Sequence, residues 1–144
     1  MTQPDRIRII IVDDRNEVRS GLATFLRAFD DLELVGEASD GAEAIRLCHE
    51  VKPDVILMDI LMPKMDGIHA TRAIARDCPE ARVIMLIGLD DEDLVQEALQ
   101  AGAIACFPKD VSIDVLAGAI RTASRKPTTN GSKAGGSHEF TTTP

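Results

Sequence analysis

The 144-residue sequence has no long apolar run, and we expect no secretory leader. A membrane helix needs roughly 20 consecutive apolar residues, and charged residues interrupt every shorter apolar run in this chain. A leader would place basic residues before an apolar stretch, and the first residues do not follow that pattern. We therefore expect a cytoplasmic protein without a membrane partner.

Cysteine and histidine are scarce, with three residues of each type. The cysteines, Cys48, Cys78 and Cys106, are widely spaced and form no CxxC motif, so neither a disulfide framework nor a zinc site is indicated. The histidines form no HExxH or His–Cys cluster. We expect three small thiols, buried or partly buried, in a reducing compartment.

Basic residues are also in deficit, because 16 lysines and arginines face 24 aspartates and glutamates, for a formal net charge of −8. Binding to nucleic-acid phosphates needs a basic face, so the composition argues against direct nucleic-acid binding by this domain. The 44% hydrophobic and 28% charged content is typical of a globular chain. The length allows one domain with a full core.

Strand-like and helix-like patterns alternate five times. Strands are predicted at residues 6–12, 33–38, 54–58, 82–87 and 104–107. Helices are predicted at residues 16–29, 40–51, 68–76, 91–101 and 112–124. The first, third and fourth strands are almost continuously apolar, as parallel strands covered on both faces are. The alternation predicts a doubly wound α/β fold, with a five-stranded parallel sheet and helices on both faces.

The composition changes near residue 126. Residues 127–144 have almost no apolar content, which predicts a disordered tail or a linker remnant. Residues 1–5 form a short N-terminal extension. Residues 6–126 are therefore expected to be the single folded domain.

Charged residues follow the predicted strands at their carboxyl ends. Asp13 and Asp14 follow the first strand, Asp59 follows the third, and Lys109 follows the fifth. Ligands of open α/β sheets bind outside the carboxyl ends of the strands, where the strand order reverses. With the expected strand order 2-1-3-4-5, the first and third strands are neighbours. The three carboxylates would then share one pocket with the lysine.

Crowded carboxylates need a compensating charge, because a pair ~4 Å apart repels by several kcal/mol at an effective dielectric constant near 20. Protonation of one member is one solution, and a divalent cation is the other. Mg²⁺ fits the second, since it takes oxygen ligands and keeps water and substrate phosphate in its shell. Asp13 and Asp14 alone could simply cap the first helix. Arg15 beside them either reaches over the pocket or is a solvated surface residue.

Three motifs, "IIIVDD", "DVILMDILMPKMDG" and "ACFPKD", in this order and spacing resemble the receiver domain of two-component response regulators. The stretches "VGEASDGAEAI" and "AGAIACFPKDVS" are most similar to the LuxR-type subfamily, whose full-length members carry a C-terminal helix-turn-helix. We expect no output domain within these 144 residues. The resemblance implies a flavodoxin-like fold. It also implies that Gly67 serves the backbone of the turn into the third helix.

The resemblance implies a role for each matching residue. Asp59 matches the phosphoacceptor, which takes phosphoryl from a phosphohistidine of a sensor histidine kinase. Asp13 and Asp14 match the acidic pair that holds Mg²⁺ together with Asp59 and the backbone carbonyl of Leu61. Lys109 matches the lysine that pairs with the acceptor and then with the phosphoryl oxygens. Such a domain is not an enzyme in the usual sense, since it assists only its own phosphorylation and dephosphorylation. It can form homodimers through the fourth and fifth or the first and fifth helices.

Two positions depart from the family pattern. Ile87, followed by Gly88, stands where the fourth strand usually ends in Thr or Ser, and Cys106 replaces the usual Tyr or Phe. An apolar side chain cannot donate the charge-assisted hydrogen bond that a hydroxyl gives the phosphoryl group, worth ~1.5–3 kcal/mol. We therefore expect an atypical switch.

Two other interpretations are compatible with the sequence, and a third is disfavoured. Ile87 could simply be one more core residue, and the whole domain could be a receiver-like binding module that acts without phosphorylation. An aspartyl-phosphate hydrolase is disfavoured, because the sequence has neither a DxDx[TV] motif nor a substrate cap.

Overall fold

A computed structural model of the protein describes residues 6–60, 66–88 and 92–124. The strands in these ranges are β1 (Ile7–Val12), β2 (Leu32–Ala38), β3 (Val55–Asp59), β4 (Arg82–Ile87) and β5 (Ala105–Pro108). The helices are α1 (Asn16–Arg27), α2 (Gly41–Val51), α3 (Gly67–Asp77), α4 (Glu92–Ala101) and α5 (Ile113–Ala123). The proposed N-terminal extension, the tail and Leu61 lie outside the described residues.

The five strands form one parallel sheet in the order β2-β1-β3-β4-β5. The predicted fold class and strand order are confirmed. The strand order reverses between β1 and β3, and their register places Val12 opposite Met58. Asp13 follows Val12 and Asp59 follows Met58, so the register brings the two aspartates to the same edge of the sheet.

Helices cover both faces of the sheet, so its central strands are buried on both sides. Helices α1 and α5 pack on one face, against β-strand residues such as Leu57 and Leu86. Helices α2, α3 and α4 pack on the other face, against residues such as Met58 and Ile87. The apolar runs of β1, β3 and β4 follow from this arrangement, because their apolar side chains pack alternately into the hydrophobic layers on the two faces.

Element boundaries agree with the predicted ones to within two residues, and those of β4 are identical. Helix α1 ends at Arg27, because the amides of Ala28 and Phe29 bond to the carbonyls three residues earlier, in the tighter 3₁₀ pattern. Asp40 is confirmed as the N-cap of α2, since its side chain accepts the amide of Glu43 at 2.8 Å. Gly102 follows α4 with φ of +124°, as expected for a C-terminal glycine.

Within the described ranges, none of the helices has the length and hydropathy that a membrane span requires.

Candidate metal centre

The three predicted carboxylates lie together at the carboxyl edge of the sheet. One side-chain oxygen each from Asp13, Asp14 and Asp59 can be chosen so that all three atoms lie within 4.8 Å of one another. Asp13 is 3% exposed and Asp59 2% exposed, whereas Asp14 faces solvent. The expected convergence is confirmed. Two of the three carboxylates in this pocket are buried, and the third is open to solvent.

Lys109 supplies a cation to this pocket. Its Nζ lies 2.9 Å from Oδ1 of Asp59, and its side chain is only partly exposed. Lys109 directly follows Pro108, the last residue of β5, so the end of that strand sets where the side chain starts. The pairing offsets part of the cost of burying the Asp59 carboxylate.

Arg15 reaches the pocket, which decides between the two alternatives left by the sequence. Its Nε lies 3.2 Å from Oδ1 of Asp13 and its Nη2 lies 3.3 Å from Oδ2, while its backbone amide donates to Oδ1 at 2.9 Å. The hydrogen bond to Asp13 raises the pKa of Arg15, and the charges of Asp59 and Asp14 act in the same direction. Asp13 thus accepts the amide of the α1 N-cap residue and also contributes to the acidic pocket.

Arg19 is a third basic residue at this site, and the sequence did not single it out. Its Nη1 donates to the backbone carbonyl of Asp13 at 2.6 Å, and its Nε lies 3.2 Å from Oε1 of Glu37. The four-residue spacing from Arg15 was the available signal, because residues four apart lie on the same face of a helix. Arg19 therefore anchors the backbone that presents Asp13.

The donor set of the pocket fits Mg²⁺. All three ligands are carboxylate oxygens, the type that this ion prefers. Asp13, Asp14 and Asp59 would hold the ion, since one carboxylate oxygen of each lies within 4.8 Å of the others. Asp14 faces solvent, so water can reach the site from that side. The predicted carbonyl ligand, Leu61, lies outside the described residues.

Gly67, the first residue of α3, lies directly against the acceptor strand. A Cβ at this position would lie 2.5 Å from the carbonyl oxygen of Asp59 and 2.8 Å from Cα of Ile60. The Gly67 amide also donates to the carbonyl of Ile60 at 2.9 Å. Its φ is not positive, so the expected requirement of the turn backbone is not the reason for glycine. Close approach of α3 to the Asp59 backbone requires it.

The two unusual positions lie on one face of the sheet. Ile87 is 2% exposed and packs on the α2–α3–α4 side. Cys106 packs in the same hydrophobic cluster, opposite Met85, and burial raises the pKa of its thiol to about 11. Gly88 is exposed, and a Cβ built there would meet nothing within 4 Å. The prediction of free, buried or partly buried thiols is confirmed for all three cysteines.

Comparison with known proteins identifies the family. The model of the response regulator receiver domain matches residues 9–121. The transcriptional regulatory protein LiaR of Bacillus subtilis is 46% identical over 119 residues, which cover 83% of this chain and 56% of the relative. The chain thus spans about half the length of the curated relatives it matches.

Solved structures agree with this match. A LuxR-family two-component response regulator from Aurantimonas sp. SI85-9A1 has a TM-score of 0.77 and 32% identity, with 81% of this chain and 84% of that chain covered. A chain of the CheX–CheY–BeF3–Mg²⁺ complex from Borrelia burgdorferi has a TM-score of 0.73 and 30% identity, with 81% and 87% covered. The expected likeness to LuxR-type receivers is confirmed. This chain belongs to the response regulator receiver domain family, the signalling domains of two-component systems.

Proposed function

We propose that this domain accepts a phosphoryl group on Asp59 from the phosphohistidine of a sensor histidine kinase and thereby alters a protein–protein contact. The observation that carries the proposal is the buried Asp59 carboxylate, with Lys109 at 2.9 Å and two further carboxylates beside it. A structural role alone would not account for three acidic side chains gathered at the ligand-binding edge of the sheet.

The chemistry requires positioning and charge neutralisation more than covalent work by the protein. An oxygen of Asp59 attacks phosphorus, the bond from phosphorus to the histidine nitrogen breaks, and the leaving imidazole takes up a proton. Asp13, Asp14 and Asp59 would hold Mg²⁺, with Leu61 as the carbonyl ligand that the resemblance implies. When bound, the ion supplies positive charge to the phosphoryl oxygens.

Lys109 acts at both stages of the transfer. Before it, the ammonium pairs with Oδ1 of Asp59, orients the carboxylate and offsets part of the cost of burying its charge. After it, the Asp59 oxygen is part of an acyl phosphate, and the negative charge lies on the phosphoryl oxygens. Lys109 then pairs with those oxygens. Attack of water on phosphorus regenerates the carboxylate, and the same groups assist this dephosphorylation.

The response to phosphorylation is proposed to be weaker than in a receiver with a hydroxyl at position 87. Phosphorylation shifts a conformational equilibrium only as far as the phosphoryl group binds one state better than the other. Ile87 offers no hydrogen bond to that group, and its side chain packs in the core. The phosphoryl group therefore has one fewer contact that distinguishes the two states.

Intact-mass measurement tests the acceptor directly. Incubation with acetyl phosphate and Mg²⁺ should add one phosphoryl group to the chain, and Asp59→Asn should remove the increase. The same gain in the Asp59→Asn variant would exclude Asp59 as the acceptor. A wild-type chain that stays unmodified would favour the alternative function, a receiver-like binding module that acts without phosphorylation. Ile87 and Cys106 are the residues that support this alternative.

Amide NMR spectra with and without beryllofluoride test the switch. We expect small shift changes over α4 and β5 in the wild-type protein and larger ones in Ile87→Thr, which restores a hydroxyl. Equal changes in the two proteins would show that position 87 does not limit the response.

A homodimer through α5 with α1 or α4 remains part of the proposal. Ile113 and Val115 on α5 are 53% and 48% exposed, which gives this helix an apolar patch. A rise in sedimentation coefficient on addition of beryllofluoride and Mg²⁺ is the expected result. A cytoplasmic location, where the domain could meet the kinase, also remains a proposal.

A further inference from the structure

We infer that Arg15 is an internal competitor of the divalent cation, because its guanidinium occupies the carboxylate of Asp13 when no cation is bound and must release it for the cation to bind. The inference rests on the proposed function, since it requires the Mg²⁺ site. It adds a residue next to the acidic pair that sets how tightly the site holds its ion.

The contacts between Arg15 and Asp13 use most of the lone pairs that a cation would need. Oδ1 of Asp13 accepts the backbone amide of Arg15 at 2.9 Å and its Nε at 3.2 Å, while Oδ2 accepts Nη2 at 3.3 Å. Each carboxylate oxygen offers about two lone-pair sites. Both lone-pair sites of Oδ1 and one of the two on Oδ2 are therefore occupied by Arg15. Asp13 cannot bind a cation fully while this two-pronged contact of the guanidinium, called the fork below, is in place.

Exposure determines which partner can move. The Arg15 side chain is 44% exposed, so water can replace its contacts when it leaves, whereas Asp13 is buried in the pocket. Arg19 holds the Asp13 carbonyl at 2.6 Å, and its side chain is mostly buried against Glu37. Arg19 thus fixes the backbone of Asp13 whether or not the cation is present, and only Arg15 exchanges.

The positive charge of Arg15 opposes cation binding, as its contacts with Asp13 do. Asp59 and Asp14 are close enough to contribute to the raised pKa of Arg15, so the guanidinium lies in the field of the whole acidic cluster. It reduces the repulsion among the carboxylates when the ion is absent. A divalent cation must therefore displace an existing positive charge, which lowers its apparent affinity.

Isothermal titration calorimetry with MgCl2 tests the inference on the full chain. The chain has no Trp or Tyr, so calorimetry replaces intrinsic fluorescence as the readout. Arg15→Gln removes the fork and the charge, and we expect the Kd for Mg²⁺ to fall about three- to tenfold. Arg15→Lys keeps the charge without the fork and should give a smaller decrease. The difference should shrink as the salt concentration rises.

Arg27→Gln is the matched control. It makes the same change in net charge at an exposed residue in the last turn of the same helix, ~18 Å from Arg15 along the axis. That separation exceeds the Debye length of about 8–10 Å, so the Kd should stay near the wild-type value. Asp13→Asn should lose the binding heat, which shows that the heat reports this site.

Each outcome separates the inference from the proposed function. A Kd that is unchanged or weaker in Arg15→Gln, while the wild-type protein binds Mg²⁺, overturns the role of Arg15 and leaves the phosphoacceptor proposal intact. Equal tightening in Arg15→Gln and Arg27→Gln also overturns it, because net charge would then be the cause. If no protein in the series binds Mg²⁺, the metal site and the inference both fail.

Discussion

Lys109 and Asp59 meet at 2.9 Å although β4 lies between β3, which ends at Asp59, and β5, which Lys109 follows. Neighbouring strands are about 4.8 Å apart, so the two side chains together bridge about 10 Å between β5 and β3. The register places Pro108 opposite Ile87, so Lys109 begins beside the carboxyl end of β4. Asp59, the ammonium group of Lys109 and the end of β4 at Ile87 therefore lie in one small region.

Replacing Lys109 should impair phosphorylation without removing the acceptor. Lys109→Gln removes the cation that orients Asp59 and pairs with the phosphoryl oxygens, and loss of one such group costs about 10²-fold in rate. The rate of phosphorylation by acetyl phosphate, followed by intact mass, checks this expectation. Lys52→Gln, at the exposed C-terminal end of α2, is the control and should react at the wild-type rate. Equal rates in the two variants would contradict a role for the Lys109–Asp59 pair.

Gly67→Ala should destabilise the protein and disturb the acceptor strand. The added Cβ would lie 2.5 Å from the Asp59 carbonyl oxygen, so backbone must shift, at an expected cost of about 1–3 kcal/mol in the free energy of unfolding. Gly118→Ala, in the exposed middle of α5, meets nothing within 4 Å and should stabilise the protein by about 0.5–1 kcal/mol. Urea denaturation of both variants measures the difference. A stability gain in Gly67→Ala would show that the close approach is not restrictive.

Ile87→Thr should lower the free energy of unfolding by about 1–3 kcal/mol, because it removes buried apolar groups and buries a hydroxyl. Ile87→Val is the matched control, since it removes one methylene group and adds no polar atom, at about 0.5–1.5 kcal/mol. Denaturant unfolding without phosphoryl analogue gives both values. If Ile87→Thr loses less free energy of unfolding than Ile87→Val, the hydroxyl must have a hydrogen-bond partner in the unphosphorylated structure.

Alkaline pH should destabilise the protein through its buried thiols. The folded-state pKa is about 11 for Cys106 and about 12 for Cys48, both raised above the ordinary value of 9.0, with burial as the largest cause. As the pH rises past 9, the unfolded chain loses these protons first, so the unfolded state binds fewer protons and stability falls. The loss continues until the pH passes the folded-state values.

Cys106→Ala isolates one of these thiols. The decrease in the free energy of unfolding between pH 8 and pH 10.5 should be smaller in this variant than in the wild-type protein, because one raised pKa is gone. Denaturant unfolding at the two pH values measures this difference. An identical pH dependence in the two proteins would mean that Cys106 is not effectively desolvated.

The sequence by itself determined the alternation of strands and helices and the residues that converge at the sheet edge. Apolar runs over β1, β3 and β4 indicated strands buried on both faces, and carboxyl ends of parallel strands necessarily meet at one edge. The meeting of Asp13, Asp14 and Asp59 could therefore be predicted from their places after strands. These features depend on local pattern and on topology, which are readable along the chain.

Only the tertiary structure decided the role of Arg15, the reason for Gly67 and the burial of Ile87. A long arginine side chain satisfies its donors equally well with water or with a carboxylate, so its neighbours in sequence do not settle its partner. The contact of Gly67 with the Asp59 backbone depends on how closely α3 packs against β3, and the surroundings of Ile87 depend on how α2, α3 and α4 pack together on one face of the sheet. Distances between elements are set by packing of the whole core, which no short stretch of sequence encodes.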